Sequence, residues 1–99
     1  AEPWFVWLRN PDLAKEVDYI AIHPLPYWDE KSNESHIGYL QRQIEEVRKT
    51  YPTKNIIVTE VGWPSNGASR ISRGRDGDPV VKRASPALQA KNVRDAVDF

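Results

Sequence analysis

One carboxylate stands directly after an apolar run, in a place suited to chemistry. Glu60 follows Ile56-Ile57-Val58-Thr59, a pattern typical of a buried β-strand. A glutamate at a strand end can serve as a nucleophile or as a general acid or base. It can equally reach water or pair with an arginine, and burial without a partner would be costly. Gly62-Trp63-Pro64-Ser65 follows shortly after. Glycine allows unusual backbone conformations, tryptophan offers a flat aromatic surface and proline makes the turn rigid, and this combination favours a functional site.

A second cluster of polar and aromatic residues follows another apolar run. His23-Pro24-Leu25-Pro26-Tyr27-Trp28 comes after Tyr19-Ile20-Ala21-Ile22. Aromatic faces suit the apolar C–H faces of sugar rings. We therefore expect His23, Tyr27 and Trp63 to share one cleft with Glu60, and Trp28 to line it. Trp4 and Trp7 are open to either reading, as core residues or as part of a site.

The elements that would position these residues form a βαβ unit. Strands are predicted at Tyr19–His23 and at Asn55–Thr59, both buried on two faces. Between them, an amphipathic helix is predicted from about Ser35 to Tyr51. Its buried stripe is expected to consist of Ile37, Leu40, Ile44, Val47 and Tyr51. Such strands are parallel neighbours, so Glu60 and His23 are expected at the same edge of a sheet.

Other signals place the flanking elements. Asn10 is predicted to cap a short helix that begins at Pro11 and runs to about Glu16. The segment Ser65–Lys82, rich in glycine, aspartate and arginine, is predicted to be a surface loop. Ser85 is predicted to cap a last helix from Pro86. The apolar side of that helix is expected to carry Ala87, Ala90, Val93 and Val97.

The composition excludes several classes of function. With 99 residues, a formal net charge of +0 and 28% charged side chains, the protein is typical of a globular domain with no basic excess for nucleic acid. It has no cysteine, so thiolate zinc sites are excluded. His23 and His36 lack a third ligand at suitable spacing, so no metal is expected, and nothing in the sequence requires a cofactor. No membrane-spanning run and no signal peptide are predicted.

Two strands do not complete a parallel sheet. Each predicted strand needs a neighbour and helical cover that these 99 residues barely supply. The sequence also stops within its last helical pattern, at Asp98-Phe99. We therefore expect it to be an excerpt of a larger α/β domain.

These motifs resemble those of glycoside hydrolase family 17, the β-1,3-glucanases and β-1,3-glucosyltransferases, and its bacterial branch in particular. Glu60-Val61-Gly62-Trp63-Pro64-Ser65 resembles the family's nucleophile motif, in which serine is commoner than Val61. The segment from His23 to Trp28 resembles the one after strand six. Ala1-Glu2-Pro3-Trp4 is similar to the end of strand five, and Ser85–Ala90 to the helix after strand seven. The resemblance implies a partial (β/α)8 TIM barrel, with residues 1–99 forming part of its C-terminal half.

The resemblance also implies a mechanism and a setting. It implies a retaining reaction on β-glucan with Glu60 as the nucleophile, and substrate contacts from Glu2, His23, Tyr27, Trp28 and Trp63. The acid/base glutamate of the family would precede Ala1, so the isolated polypeptide is expected to be inactive. The parent protein is expected in the cell envelope, periplasmic or extracellular, and fused to or working with a membrane glucan synthase.

Two other functions stay open on the sequence. The protein can belong to a carbohydrate-binding barrel that has lost catalysis, and an asparagine-glutamate pair upstream would decide against that. It can also belong to another retaining barrel family of the same clan with a different polysaccharide substrate. Gly62-Trp63-Pro64-Ser65 favours family 17 over the latter.

Overall fold

The protein folds into two compact units of mixed helices and strands. The computed structural model describes residues 1–28, 36–67, 70–73 and 79–99, and it describes 70–73 and 79–82 by their backbone alone. The first unit comprises Ala1–Pro24 with Leu40–Val61, and the second comprises Leu25–Tyr39 with Gly62–Phe99. The elements are α1 (Trp4–Arg9), α2 (Pro11–Lys15), β1 (Tyr19–Ile22), α3 (His36–Thr50), β2 (Asn55–Val58), β3 (Arg70–Arg73), β4 (Pro79–Lys82) and α4 (Pro86–Asp98).

The first unit is built on the predicted parallel pair. Strands β1 and β2 pair in parallel, with Tyr19 opposite Asn55 and Ile22 opposite Val58. Since α3 connects them, the βαβ prediction is confirmed. Glu2 adds an isolated parallel bridge to Ile22, as the expected tip of a further strand would.

The core of the first unit packs helices against β1. It consists of Trp7, Ala14, Ile20, Ile22 and Val47, with partly buried Trp4, Leu8, Val17, Ile44, Tyr51 and Ile56 around it. The indole Nε1 of Trp7 donates to the carbonyl of Ala21 at 2.9 Å. The hydroxyl of Tyr51 donates to the carbonyl of Trp7 at 2.5 Å. Trp7 is therefore a core residue, and Ile44, Val47 and Tyr51 of the stripe predicted on α3 do pack inward.

The burial predicted for β2 is wrong in the structure. Ile57 is 45% exposed and Val58 38% exposed, whereas Ile20 and Ile22 on β1 are fully buried. Within the described residues, β2 pairs with β1 alone. A strand with one neighbour and cover on one side leaves apolar side chains in water, and this accounts for the difference.

Asn10 lies between the helices α1 and α2 and is a boundary residue of both. Asn10 stands at the predicted N-cap of α2, but its side chain makes no cap hydrogen bond there. Its Nδ2 instead donates to the carbonyl of Val6 at 2.8 Å, at the end of α1. The sequence does not predict α1, since Trp4–Arg9 is short and carries no capping side chain at Pro3.

The second unit contains a hairpin where a loop was predicted. Strands β3 and β4 pair antiparallel, with Arg70 opposite Lys82 and Arg73 opposite Pro79. Pro79 is the first residue of β4, a position at which strands tolerate proline. The prediction of a loop over Ser65–Lys82 is therefore wrong for these residues, because tertiary pairing overrides weak local propensity. Residues 68, 69 and 74–78 of that segment, and Ser35, lie outside the described residues.

Helix α4 begins where it was predicted to begin. The Oγ of Ser85 accepts a hydrogen bond from the amide of Leu88 at 3.1 Å, with Pro86 in the first turn. Its apolar side lies in solvent at two positions, since Val93 is 43% and Val97 is 79% exposed. Asn92, at 8% exposure, is the buried residue of this helix.

Candidate functional site

Glu60 lies at the carboxyl end of the parallel pair. The strand β2 ends at Val58, and Thr59 continues its pairing by donating its backbone N–H to the carbonyl of Ile22 at 2.9 Å. The hydroxyl of Thr59 lies 3.2 Å from the same oxygen. Pairing therefore runs up to the residue before Glu60, and Glu60 is exposed just beyond it.

His23 and Glu2 stand at the same edge of the first unit. The backbone N–H of His23 donates to the carbonyl of Glu2 at 3.3 Å, and that of Glu2 donates to Ala21 at 3.1 Å. Since Ile22 is opposite Val58, His23 also follows its strand at the end where Glu60 follows β2. Glu2 is exposed and His23 is half-buried. Two carboxylates and an imidazole thus come from three segments of the sequence to one sheet edge.

An exposed carboxylate at such an edge can perform acid, base or nucleophilic chemistry. Parallel strands direct the groups after their carboxyl ends to one side, where βα-barrels carry their catalytic residues. The first unit also holds an open cavity of about 370 Å³, lined in part by Trp7, Glu16 and Asp18. None of Glu2, His23 and Glu60 lines it. The cavity is accordingly distinct from the carboxylate edge.

The second unit gathers three of the predicted aromatic residues into one cluster. The rings of Tyr27 and Trp63 meet edge to face, with centroids 5.3 Å apart and planes at 78°. Tyr27 meets Trp28 in the same manner at 5.0 Å and 71°. Tyr27 is buried, while Trp28 is 56% exposed. Tyr27 is therefore the buried centre of this aromatic cluster of Tyr27, Trp28 and Trp63, and Trp28 presents its surface to solvent.

Besides its contact with Tyr27, the indole of Trp63 makes a hydrogen bond and a further ring contact. Its Nε1 donates to the carbonyl of Arg83 at 2.9 Å, ahead of α4. The imidazole of His36, in the first turn of α3, lies edge to face with Trp63 at 6.0 Å. An indole held by a hydrogen bond and by ring contacts is a pre-organised stacking surface.

His36 is a neighbour of Trp63 that the sequence did not identify. The sequence analysis considers it only as a metal ligand beside His23 and rejects that role, whereas in the structure it is 8% exposed and packs on Trp63. Among the described residues, neither ring nitrogen has a hydrogen-bond partner. Burial lowers the pKa of His36, with Lys91 adding to the effect and Asp95 opposing it. The helix predicted from about Ser35 already places His36 in its first turn, but the burial of this ring against Trp63 is a tertiary contact.

The described part of the protein offers neither a metal site nor a membrane span. There, no group of three or more histidine, aspartate or glutamate side chains is placed to hold a metal ion. Among the helices of the described residues, none combines the length and apolar character that a bilayer crossing needs.

The predicted site residues divide between the two units. Glu2, His23 and Glu60 belong to the first unit, while Tyr27, Trp28 and Trp63 belong to the second. The carboxylate edge and the aromatic cluster are each formed as described above. The prediction that they serve one cleft stays a prediction.

The protein is similar to several curated fungal proteins. It is 37% identical over 91 residues to the Saccharomyces cerevisiae protein named probable family 17 glucosidase SCW10, covering 90% of this chain and 22% of that protein. It is 36% identical to probable family 17 glucosidase SCW4 of the same yeast, over 61% of this chain and 16% of the relative. It is 34% identical to the Candida albicans cell surface mannoprotein MP65, over 63% of this chain and 17% of the relative. The matched region thus spans about a fifth of the length of these relatives.

The family match extends over almost all of the sequence. No solved structure gives a significant match. The family model described as the BtgE/BtgC glycoside hydrolase domain matches residues 1–98. With relatives named as family 17 glucosidases, this confirms the resemblance to glycoside hydrolase family 17, while the bacterial branch stays a prediction. The chain belongs to the BtgE/BtgC glycoside hydrolase domain family.

Proposed function

We propose that this protein is part of the catalytic domain of a retaining β-glucan hydrolase or transglycosylase, with β-1,3-glucan as its substrate. The observation that carries the proposal is the position of Glu60, exposed just beyond the carboxyl end of a parallel strand. The segment that begins with Glu60 resembles the family's nucleophile motif. Residues 1–99 would form part of the C-terminal half of a (β/α)8 barrel. The parallel pair, its helical crossover and the bridge at Glu2 are what such a barrel section requires.

The proposed reaction proceeds in two displacements. The Glu60 carboxylate attacks the anomeric carbon, the glycosidic C–O bond breaks, and a second carboxylic acid protonates the departing oxygen. Water or a sugar hydroxyl then attacks the same carbon, gives up its proton to that second group, and releases Glu60. Retaining glycosidases hold the two carboxyl groups about 5–5.5 Å apart. The second group is proposed to lie outside residues 1–99, so the isolated polypeptide would be inactive.

The remaining predicted residues are proposed to hold the glucan. Glu2 and His23 offer polar groups at the edge that carries Glu60. Trp28 and Trp63 offer aromatic surface, with Tyr27 supporting both rings. Indole faces stack on the apolar faces of sugars, and carboxylate and imidazole groups bind hydroxyls.

The proposal includes the cellular location and the partners of the parent protein. A relative named as a cell surface mannoprotein supports placement outside the cell or in its envelope. The resemblance to bacterial members supports a domain fused to, or working with, a membrane glucan synthase. No metal and no cofactor takes part in the proposed reaction.

The test traps the covalent intermediate in a protein that carries the complete domain. A 2-fluoro-substituted β-glucosyl donor slows the second displacement, so the glycosyl group should accumulate on Glu60 and be found there by peptide mass spectrometry. Glu60→Gln should abolish labelling and turnover while oligosaccharide binding persists, because the amide keeps the shape and loses nucleophilicity. Glu46→Gln, at an exposed position on α3, is the matched control and should keep full activity.

Other outcomes would replace the proposal. Binding of β-glucan without turnover by the complete wild-type domain would indicate a carbohydrate-binding barrel. Turnover of a different polysaccharide alone would indicate another retaining family. Normal turnover by Glu60→Gln would remove Glu60 from the mechanism.

A further inference from the structure

Asn66, in the second unit, is exposed and is followed by a glycine. Asn66 and Gly67 are both exposed and lie between the nucleophile motif and β3. We propose that Asn66 is a site of spontaneous deamidation, at which the protein converts its own side-chain amide into aspartate and isoaspartate. The proposal does not depend on the proposed function.

The geometry at this position brings the reacting groups together. The backbone nitrogen of Gly67 donates to the Oδ1 of Asn66 at 2.8 Å. The side-chain amide is therefore folded back toward the next peptide nitrogen, which is the atom that attacks the carbon bonded to Oδ1. Ring closure needs this approach, and holding two groups in a near-attack arrangement removes a large part of the barrier to an intramolecular reaction.

Glycine is required where it stands. Gly67 has a φ of 147°, a backbone conformation that residues with a side chain rarely adopt. An added Cβ would lie 3.8 Å from the Cβ of Ala84 and 3.9 Å from the hydroxyl of Tyr27, so space is not the constraint. The backbone conformation demands glycine, and glycine leaves the attacking nitrogen unhindered.

The reaction balances with water as its only co-reactant. The Gly67 amide loses its proton to solvent base, and its nitrogen attacks the Cγ of Asn66. A bond forms between these two atoms, the bond from Cγ to Nδ2 breaks, and ammonia leaves with a proton from water, giving a cyclic imide. Water then opens either carbonyl, producing aspartate when the new bond breaks and isoaspartate when the original peptide bond breaks. No oxidant or reductant is involved.

The other described asparagines lack this combination. Asn10 precedes Pro11, whose nitrogen has no hydrogen to lose. Asn55 starts β2, where the backbone is held in the parallel pair and the next residue is β-branched Ile56. Asn92 is 8% exposed within α4. These three residues are internal controls.

The modification would alter the surroundings of the aromatic cluster. Tyr27 is the buried centre of that cluster, and Gly67 lies next to its hydroxyl. Deamidation adds a negative charge one residue from this contact, and isoaspartate also lengthens the backbone by one carbon.

The experiment incubates the complete protein in ¹⁸O-water at mildly alkaline and mildly acidic pH and follows its tryptic peptides by mass spectrometry. One such peptide, residues 55–70, contains both Asn55 and Asn66, so fragment ions compare the two directly. We expect ¹⁸O at residue 66 to accumulate at least about tenfold faster than at Asn10, Asn55 or Asn92, as pre-positioning of the attacking nitrogen implies. The rate should rise with pH, because the attacking nitrogen must lose its proton.

Two comparisons decide the matter. Asn66→Gln, whose cyclisation needs a larger ring, should abolish label at this residue while the protein keeps its unfolding temperature. The folded protein should deamidate at Asn66 at least as fast as the same protein in denaturant. Slower reaction in the folded state, or label at Asn66 no faster than at the other asparagines, would overturn the proposal.

Discussion

The imidazole of His36 lies edge to face with the indole of Trp63, with ring centroids 6.0 Å apart and planes at 84°. His36 is 8% exposed, and its two nitrogens have no hydrogen-bond partner among the described residues. The buried ring therefore favours its neutral form, in which it packs as an aromatic side chain.

This contact predicts a pH dependence of stability. Burial lowers the pKa of His36 from 6.5, with Lys91 adding to the shift and Asp95 opposing it. Between the lowered pKa and 6.5 the unfolded protein binds more protons than the folded one, so the free energy of unfolding rises with pH. The stabilisation is complete above pH 6.5 and is lost as the pH falls toward the lowered value. Chemical denaturation across this range measures the slope.

Two variants separate His36 from other titrating groups. His36→Phe keeps an aromatic ring against Trp63 and should remove this part of the slope. Asp95→Asn removes the carboxylate that raises the pKa of His36, so this pKa should fall further. The loss of stability should then continue to lower pH. An unchanged slope in His36→Phe would show that other groups cause it.

Trp7 is expected to dominate the stability of the first unit. It is 4% exposed and donates from Nε1 to the carbonyl of Ala21. Trp7→Phe should lower the free energy of unfolding by about 1–3 kcal/mol, because a buried carbonyl loses its donor and a smaller ring leaves space. Trp28→Phe, at a 56% exposed position, should change it by less than about 0.5 kcal/mol. Equal losses in the two variants would contradict the assignment of the core.

The exposed apolar residues of β2 predict that the isolated polypeptide associates and unfolds with low cooperativity. Ile57 and Val58 are 45% and 38% exposed, and unpaired apolar edges invite association between molecules. Residues 1–99 alone should unfold with low cooperativity in calorimetry and elute in part as oligomers. Ile57→Lys should reduce that association.

The same substitution should act differently in a protein with the complete proposed barrel. There, Ile57→Lys should destabilise, because a further strand and helix would cover Ile57 and a buried lysine would lack a partner. Thermal unfolding of the two proteins measures the difference. Stabilisation by Ile57→Lys in the longer protein would argue against the barrel.

Trp63 is expected to contribute to glucan binding in the complete domain. Its indole is oriented by Tyr27, His36 and the Arg83 carbonyl, so little ordering is needed on binding. Trp63→Ala should weaken binding of a β-glucan oligosaccharide by about 1 kcal/mol, roughly fivefold in Kd. Titration calorimetry with Phe99→Ala, a change at a 57% exposed ring outside the aromatic cluster, provides the control. Equal affinities in the two variants would exclude stacking on Trp63.

Local and periodic signals account for what could be predicted of the fold and the site. The apolar runs of β1 and β2, the stripe on α3 and the serine-proline start of α4 each depend on residues near one another in sequence. The position of Glu60 follows from them, because the residue after a parallel strand lies at its carboxyl edge wherever the strand lies. His23 comes to that edge for the same reason.

What was predicted wrongly or not predicted depends instead on contacts between residues that are distant in sequence. The hairpin of β3 and β4 forms in a segment whose glycine, aspartate and proline content is typical of loops, since pairing between strands supplies what propensity does not. On α4, the apolar side has Val93 and Val97 in exposed positions. A stripe of apolar residues shows which side of a helix prefers burial, and the neighbours decide which side is covered.

Periodicity and the order of elements along the sequence were enough to specify the parallel βαβ unit and the placement of Glu60 after its strand. The residue types around Glu60 carried the resemblance to the family's motif. Three-dimensional packing was needed to learn that Trp7 is buried while Trp28 is exposed, and that His36 packs on Trp63. The four tryptophans of this protein share the same intrinsic propensities. Their roles differ because burial is a property of the residues that surround a side chain, and those neighbours come from distant parts of the sequence.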